Sequence, residues 1–281
     1  MKTNWNEYIN IENSINSGQV FLWEQDNNSW YGINGNDVLL INKKTKKIST
    51  YTGKKYDFFR RKDNMLKIIM EISKDEIVNL AIASSPGLRL LRQDPYQCLM
   101  SFIVASNSNI QKIRDTLLRI CNKFGEEISF HNKKFKLFPK PDILGSATVK
   151  DLVDCGLGYR AKYIKSASKA LDDKIDLKNL INKDYFTVRD QLIKIDGIGH
   201  KTADCIMLFS LNKLDSFPLD RWMVRCISKN YSKLFKISEK LTAKQYEKMH
   251  VDIVDYFGRY AGYAQQFLFK TERDIKSKKW L

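Results

Sequence analysis

The sequence lacks closely spaced cysteines and long apolar runs. It holds five cysteines without a CxxC pair, at positions Cys98, Cys121, Cys155, Cys205 and Cys226. Their spacing matches neither a zinc site nor a disulfide framework, so we expect no metal site and no disulfide bond at these residues. A signal-peptide pattern and an apolar run long enough to span a membrane are also missing. We therefore expect a protein of the reducing cytoplasm.

Basic residues outnumber acidic ones, and the excess is uneven along the chain. The 281 residues suit two or three compact units, and the formal net charge is +16. Residues 1–95 carry 14 basic and 11 acidic side chains, whereas the remainder carries 34 and 21. Such a surface favours polyanions such as DNA. The abundance of Asn, Ile and Lys also fits a biased genome composition, so charge alone does not decide the partner.

The first 85 or so residues predict an antiparallel β unit with a helix. Short apolar runs are separated by turns rich in Asn, Gly and Lys. The predicted strands are Val20–Trp23, Ser29–Ile33, Asp37–Ile41 and Lys47–Tyr51, and the predicted helical segments are Ile68–Ile72 and Ile77–Ser84.

After Pro86 the strand pattern stops and helical periodicity takes over. The predicted helices are Pro95–Ala105, Ile110–Phe124, Ala147–Val153, Tyr159–Leu171 and Tyr185–Ile195, with one or two more within Ala243–Phe269. Periodicity alone thus predicts an α+β protein with the β part first.

The stretch from Leu192 to Met223 contains the most informative local pattern. Apolar residues lead into the turn Asp196-Gly197-Ile198-Gly199, and helical spacing resumes after it. The two glycines allow a sharp turn and leave amide N–H groups unobstructed at a helix start, where the dipole favours an anion. Further on, Asp220 stands where another helix would begin, a favourable N-cap position.

This hairpin and five further segments resemble the helix–hairpin–helix DNA glycosylases, and within them the 8-oxoguanine DNA glycosylases. The six segments occur in the family's order and span nearly the whole chain. They are SGQVFLW at Ser17–Trp23, ASNSNI at Ala105–Ile110, GLGYRAKY at Gly156–Tyr163, GIGHKTADC at Gly197–Cys205, FPLD at Phe217–Asp220 and YAGYAQQFLF at Tyr260–Phe269.

The resemblance implies an α+β fold with an N-terminal antiparallel β-sheet domain followed by two mainly α-helical subdomains. The helix–hairpin–helix motif would lie at the cleft of the helical pair. We assign residues 1–87 to the β domain, 88–104 plus 218–281 to one helical subdomain, and 105–217 to the other.

Lys201 directly follows the hairpin, where the partial positive charge of the helix start disfavours an ammonium group and favours the nucleophilic neutral amine. Taken alone, it is more simply an exposed Lys or a phosphate contact. By resemblance, Lys201 attacks the anomeric carbon of the damaged nucleotide and displaces the base. The resulting Schiff base permits strand cleavage by β-elimination.

Asp220 is implied as the catalytic partner of Lys201. A carboxylate at a helix N-terminus stays ionised, because backbone N–H groups stabilise the anion. It can stabilise positive charge that develops on the sugar as the glycosidic bond breaks. The simpler alternative is an N-cap worth about 1 kcal/mol, and both roles can hold together.

The resemblance also implies a pocket for an extruded base. Cys205, one turn after Lys201, and Phe269 would cover its two faces, while Gln265 would bind its Watson–Crick edge. The carbonyl of Gly18 would accept N7–H of oxidised guanine, a difference from guanine worth about 1–3 kcal/mol. Pro218 is assigned to the same pocket. Individually, these residues also fit ordinary roles as a turn glycine and buried core residues.

A second group is implied to contact the duplex. Asn107 would enter the gap left by the flipped base, with Tyr159 as a wedge and Arg160 as a donor to the opposite base. Their simpler roles are a loop Asn and a helix-surface pair. The remaining predicted DNA contacts are Lys112, Gly197, Gly199 and His200.

Three positions depart from the animal enzymes. Lys112 replaces a second opposite-base Arg and loses its fork geometry, which predicts a weaker preference for cytosine opposite the lesion. Trp222 replaces a phosphate-binding His. Asp196 replaces the usual hairpin Pro and adds negative charge near a presumed phosphate.

Three functions follow as hypotheses. The main one is a bifunctional glycosylase/lyase that acts on double-stranded DNA containing 8-oxoguanine. The alternatives are a monofunctional alkyl-base glycosylase, which Lys201 argues against, and a non-catalytic DNA-binding protein, which the retention of both Lys201 and Asp220 argues against. No cysteine follows Cys226, so the iron–sulfur cluster of the endonuclease III relatives is not expected.

Catalysis of this kind requires no cofactor, although a structural cation at the hairpin fits the family. We expect a monomer in the bacterial cytoplasm, associated with the nucleoid and without membrane contact.

Overall fold

The computed structural model describes residues 7–173, 175–238 and 241–277. The chain forms two compact units. Unit 1 comprises Met1–Gln19, Asp57–Arg92 and Ala203–Leu281, and unit 2 comprises Val20–Tyr56 and Gln93–Thr202. These boundaries differ from the three segments expected from the sequence, and that three-part division stays a prediction.

Unit 2 contains a four-stranded antiparallel sheet with the strands in chain order. Its strands are β1 (Trp23–Asp26), β2 (Ser29–Asn34), β3 (Asp37–Asn42) and β4 (Ile48–Thr50). The last three confirm the predicted strands, but the prediction of Val20–Trp23 was wrong in position. The first strand starts at Trp23, which pairs with Gly32. A Cβ on Gly32 would lie 2.0 Å from the Trp23 ring, so only glycine permits this pairing.

Helices form the rest of unit 2, together with a hairpin that the sequence did not predict. The helices are α4 (Pro95–Ala105), α5 (Ile110–Phe124), α6 (Pro141–Ser146), α7 (Val149–Leu152), α8 (Arg160–Asp173) and α9 (Tyr185–Leu192). The hairpin consists of β5 (Glu127–Phe130) and β6 (Lys133–Lys136). It packs on the sheet through Phe135, whose ring stacks on Tyr31 at 5.5 Å between centroids.

Helix ends in unit 2 follow local capping chemistry. Asp94 accepts a hydrogen bond from the Gln97 amide at 2.8 Å, and Pro95 follows as the first residue of α4. Asn109 caps α5 in the same way. Both helices confirm the predicted bounds. The predicted helix Ala147–Val153 is instead shorter, and it continues into a π-helical turn over Val153–Leu157.

Unit 1 is built from helices. They are α1 (Ile11–Ile15), α2 (Met65–Ile72), α3 (Glu76–Ser84), α11 (Arg221–Asn230), α12 (Ala243–Phe257) and α13 (Ala261–Ser277). The helix α10 (His200–Ser210) crosses the division of the units between Thr202 and Ala203. The core of unit 1 includes the fully buried rings of Phe217, Phe257 and Phe267.

Membrane-spanning helices and clusters of metal ligands are both absent from the described residues. Within those residues, no helix combines the length and the apolarity needed to cross a membrane. Over the same ranges, no group of three or more His, Cys, Asp or Glu side chains is arranged to hold a metal ion.

Candidate active site

The predicted hairpin joins α9 to α10. Gly197 has a φ of +86°, and a Cβ there would lie 2.6 Å from the Tyr163 ring, so both conformation and space require glycine. Ile198 is buried and anchors the turn. A Cβ on Gly199 would meet nothing within 4 Å, so this side of the hairpin faces open space. Asp196, the departure noted above, accepts a hydrogen bond from Ser166 at 2.8 Å.

Lys201 is the second residue of α10, directly after His200. Its side chain is half-buried, and Nζ lies 5.4 Å from the centroid of the Phe102 ring on α4. The hairpin and this aromatic contact, both within unit 2, therefore fix where the amine lies. Cys205 follows four residues later on the same helix and is buried, and its role in the base pocket stays a prediction.

Asp220 is the N-cap of α11, which confirms the capping prediction. Its Oδ1 accepts hydrogen bonds from the backbone amides of Trp222 at 2.9 Å and Met223 at 2.8 Å. Two N–H donors and the helix dipole together stabilise a negative charge at this position. Asp220 belongs to unit 1 and Lys201 to unit 2, so their pairing stays a prediction.

The loop that precedes Asp220 is held by two residues that the sequence did not reveal. The hydroxyl of Tyr246 donates to the buried carboxylate of Asp204 at 2.7 Å, and it accepts the backbone amide of Leu219 at 3.1 Å. Asp204 lies on α10 and is fully buried. The only signal for this contact in the sequence is an acidic residue within a mostly apolar helical stretch. The partner, Tyr246, lies 42 residues further along the chain.

Gln265 and Pro218, both assigned to the base pocket, are brought together in unit 1. The Gln265 amide Nε2 lies 3.4 Å from the Pro218 carbonyl, a long hydrogen bond. Its Oε1 is buried and has no hydrogen-bond partner among the described residues. A buried amide oxygen without a donor costs about 1–3 kcal/mol. Such an atom is suited to receive a donor from a ligand.

Gly18 and Phe269 are neighbours in unit 1, as the pocket prediction requires. Gly18 has a φ of +85°, and a Cβ there would lie 3.1 Å from Phe269 Cε1. The glycine backbone therefore sits directly against the edge of the ring. Over the described chain, no hydrogen bond to the Gly18 carbonyl is found. That carbonyl is available as an acceptor.

Asn107, Tyr159 and Arg160 form one cluster in unit 2. Asn107 has a φ of +50°, and its amide donates to the Tyr159 hydroxyl at 3.4 Å. That hydrogen bond lowers the pKa of Tyr159. The Tyr159 side chain is 56% exposed, and the Arg160 guanidinium lies 4.6 Å from its ring centroid.

Arg160 is buried rather than extended from the surface. Its Nε donates to the Ser106 carbonyl at 2.8 Å, and Nη2 donates to the Asn107 carbonyl at 3.1 Å. In this structure Arg160 therefore holds the loop that carries Asn107, and its contact with an opposite base stays a prediction. Lys112 is exposed in the first turn of α5.

Two family models together cover residues 2–251. Residues 2–99 match the 8-oxoguanine DNA glycosylase N-terminal domain, and residues 100–251 match the HhH-GPD superfamily of base excision DNA repair proteins. The chain belongs to the HhH-GPD superfamily. The N-terminal match and two of the similar solved structures carry the name of the 8-oxoguanine glycosylases.

Two curated N-glycosylase/DNA lyases are similar to this chain. A probable N-glycosylase/DNA lyase of Methanothermobacter thermautotrophicus is 31% identical over 55% of this chain and 56% of its own length. The N-glycosylase/DNA lyase of Saccharomyces cerevisiae is 31% identical over 70% of this chain and 62% of its own. The chain thus spans little more than half the length of these curated relatives.

A solved structure matches over nearly the whole chain. The Clostridium acetobutylicum 8-oxoguanine glycosylase/lyase, in complex with double-stranded DNA containing cytosine opposite 8-oxoguanine, aligns with a TM-score of 0.83. It is 28% identical and covers 95% of this chain and 93% of its own. The predicted fold, an N-terminal antiparallel sheet with many helices, is thereby confirmed.

Proposed function

We propose that this chain is a bifunctional enzyme of base excision repair, which removes 8-oxoguanine from duplex DNA and then cleaves the abasic strand. The observation that carries the proposal is the placement of Lys201, at the start of the helix that leaves a glycine hairpin, in a chain of the HhH-GPD superfamily. Similar proteins bear the names N-glycosylase/DNA lyase and 8-oxoguanine glycosylase/lyase.

Lys201 supplies the nucleophile. Its amine attacks C1′ of the damaged nucleotide, and the glycosidic bond breaks with its electron pair leaving on the base, which takes up a proton. Loss of the amine proton and opening of the sugar ring give a Schiff base between Nζ and C1′. That imine acidifies the 2′ hydrogen, so a proton leaves C2′ and the 3′ phosphate departs by β-elimination.

Asp220 supplies a fixed negative charge. Positive charge develops on the sugar as the glycosidic bond lengthens, and an oriented carboxylate stabilises it without reorganisation. The amides of Trp222 and Met223 fix the orientation of this carboxylate, because both donate to the same oxygen. Helix capping and catalysis therefore use the same side chain.

The pocket residues of unit 1 would recognise the base. Gln265 offers a buried amide oxygen without a partner, which suits the donors on the Watson–Crick edge of a guanine. Gly18 offers its carbonyl beside the Phe269 ring, on which a flipped purine stacks. Oxidation converts N7 of guanine from an acceptor to a donor, so this carbonyl favours the oxidised base. Cys205 would cover the second face of the base.

Duplex contacts would come from unit 2. The open side of the hairpin at Gly199 and the start of α10 suit a backbone phosphate. The exposed Tyr159 and its partner Asn107 would enter the stack where the base has left. We place this activity in the bacterial cytoplasm, in a monomer that needs no cofactor; a structural cation at the hairpin stays a prediction.

Borohydride trapping tests the proposal against its two alternatives. The unmodified chain should form a covalent adduct on duplex DNA containing 8-oxoguanine, and Lys201→Gln should form none. Base release without an adduct would instead indicate a monofunctional glycosylase. Binding without base release would indicate a DNA-binding protein without catalysis.

A further inference from the structure

Arg273 lies beside the turn that carries Gly18, although the sequence gives no reason to expect it there. It follows Phe269 by four residues on α13, so both side chains leave the same face of that helix. Its Nη1 would be 3.1 Å from a Cβ placed on Gly18. The guanidinium carbon lies 6.0 Å from the centroid of the Phe269 ring.

This guanidinium is held in a mostly buried position. The Arg273 side chain is 20% exposed, and burial lowers its pKa. Its ion pair with Asp274 is long, at 3.5 Å, and the same carboxylate also binds Lys270 at 2.5 Å. An Arg that only solubilised a helix would extend into water, because burial of its charge carries a cost. The contacts with the turn offset that cost.

Arg273 and Gln266 bind consecutive carbonyls of the turn. Arg273 Nη2 donates to the carbonyl of Asn16, and Gln266 Nε2 donates to the carbonyl of Ser17 at 2.9 Å. The next carbonyl along the chain belongs to Gly18. Two side chains of α13 thus fix the residues immediately before Gly18 relative to the helix that carries Phe269.

A second set of bonds holds the turn from the other side. Gln19 donates to the Ser17 hydroxyl at 2.8 Å and accepts the Leu91 amide, also at 2.8 Å. These bonds anchor the turn to the body of unit 1, whereas the bonds from α13 set its distance from the ring. The two sets of bonds therefore have different roles, and the bonds of Arg273 set the distance between the turn and the Phe269 ring.

We propose that Arg273 is a positioning residue for base recognition, which holds the Gly18 carbonyl in register with the Phe269 ring. The inference rests on the proposed function, since it assigns Gly18 and Phe269 to one slot for a purine. A hydrogen bond from a charged donor is stronger than a neutral one, and a shift of the turn would weaken both stacking and the contact to N7–H.

The test compares two reactions of the same protein. Excision of 8-oxoguanine under single-turnover conditions requires the base slot, whereas borohydride trapping on DNA that already contains an abasic site requires only the nucleophile. Arg273→Gln should slow excision by about tenfold or more, the factor expected for one charge-assisted hydrogen bond. Trapping on abasic DNA should stay within about twofold of the unmodified chain.

Two further variants separate positioning from loss of charge or folding. Arg273→Lys keeps the charge and a single donor atom but loses the planar fork, so it should recover part of the excision rate. Arg259→Gln removes an equal charge from a side chain that is 59% exposed, in a 3.6 Å ion pair with Glu71, and should leave both reactions unchanged. A general folding defect would lower trapping and excision together.

Each outcome has a defined meaning. Slower excision with retained trapping in Arg273→Gln, and partial recovery in Arg273→Lys, supports the inference. Equal excision by the unmodified chain and Arg273→Gln overturns it, as does a parallel fall of both reactions. If the unmodified chain traps on abasic DNA but releases no 8-oxoguanine, the proposed substrate fails and this inference fails with it.

Discussion

Substitution of Asp220 separates its role as a helix cap from its proposed role in catalysis. Asn is as good an N-cap as Asp, because its side-chain oxygen accepts the same backbone amides. Asp220→Asn therefore keeps the bonds from Trp222 and Met223 but removes the negative charge. Asp220→Ala removes both the bonds and the charge.

The two variants should differ in stability but not in catalysis. Loss of the cap in Asp220→Ala should lower the free energy of unfolding by about 1 kcal/mol, whereas Asp220→Asn should change it by less than about 0.5 kcal/mol. Removal of a fixed charge that stabilises a transition state costs about 2.7–4 kcal/mol, or about 10²–10³ in rate. Both variants should therefore lose excision by that factor.

Urea denaturation and single-turnover excision of 8-oxoguanine measure the two effects. Asp184 is the matched control, since it caps α9 by accepting the Thr187 amide at 3.0 Å and lies at the exposed surface. Asp184→Ala should lose a similar amount of stability and keep its excision rate.

Two results would refute the argument. Excision by Asp220→Asn within about threefold of the unmodified chain would show that the charge is not needed. An equal loss of stability in Asp220→Asn and Asp220→Ala would show that the capping bonds do not depend on the side-chain oxygen.

Three further predictions test other parts of the site and fold. Gln265→Leu removes a buried amide oxygen without a partner, so denaturation should show an unchanged or higher free energy of unfolding. Excision of 8-oxoguanine should fall by about tenfold or more. A loss of more than about 2 kcal/mol in the free energy of unfolding would contradict this prediction. Lys112→Arg restores a forked donor, and excision opposite cytosine relative to adenine should increase; strong cytosine selectivity before the change would argue against it. Burial raises the pKa of Tyr256 to about 12, and a hydrogen bond to Asp75 acts in the same direction. The neutral Tyr256 side chain therefore stabilises the fold fully below pH 10, and this contribution is lost as pH rises towards 12. Melting temperature should fall over that range in the unmodified chain, and it should fall less steeply in Tyr256→Phe.

The sequence predicted helices best where caps and apolar periodicity coincide. Helices α4 and α5 have the predicted bounds because Asp94 and Asn109 provide their caps within three residues of the amides they accept. The helix α7 deviates because Gly156, with a φ of +91°, ends the regular spiral in a π-helical turn. Local backbone chemistry therefore explains both the helix bounds that agree with the prediction and the one that differs.

The hairpin of β5 and β6 could not be predicted in the same way. Each strand has four residues, and His131 and Asn132 both adopt positive φ in the turn. Strands this short gain stability from tertiary packing rather than from their own pattern. The stacking of Phe135 on Tyr31 joins residues 104 positions apart, and no local signal reports it.

Within the candidate site, motifs identified the residues but not their partners. Asp220 was predicted as a cap from its place before a helix, and its two amide bonds confirm that role. The Tyr246 hydroxyl, which ties Asp204 to the Leu219 amide, joins segments that are distant along the chain. Such a bridge depends on how helices pack, which one sequence does not encode in its local spacing.

Two adjacent glutamines on α13 show that packing, rather than local sequence pattern, determines the hydrogen-bond partners of a buried side chain. Gln265 and Gln266 are both buried on α13. Successive helical positions point about 100° apart, so the two amides meet different surroundings. Gln266 binds the Ser17 carbonyl and is satisfied, whereas the oxygen of Gln265 has no partner over the described residues. An unpaired buried oxygen carries a free-energy cost, and a base that supplied a donor would offset it, in line with the predicted role of Gln265.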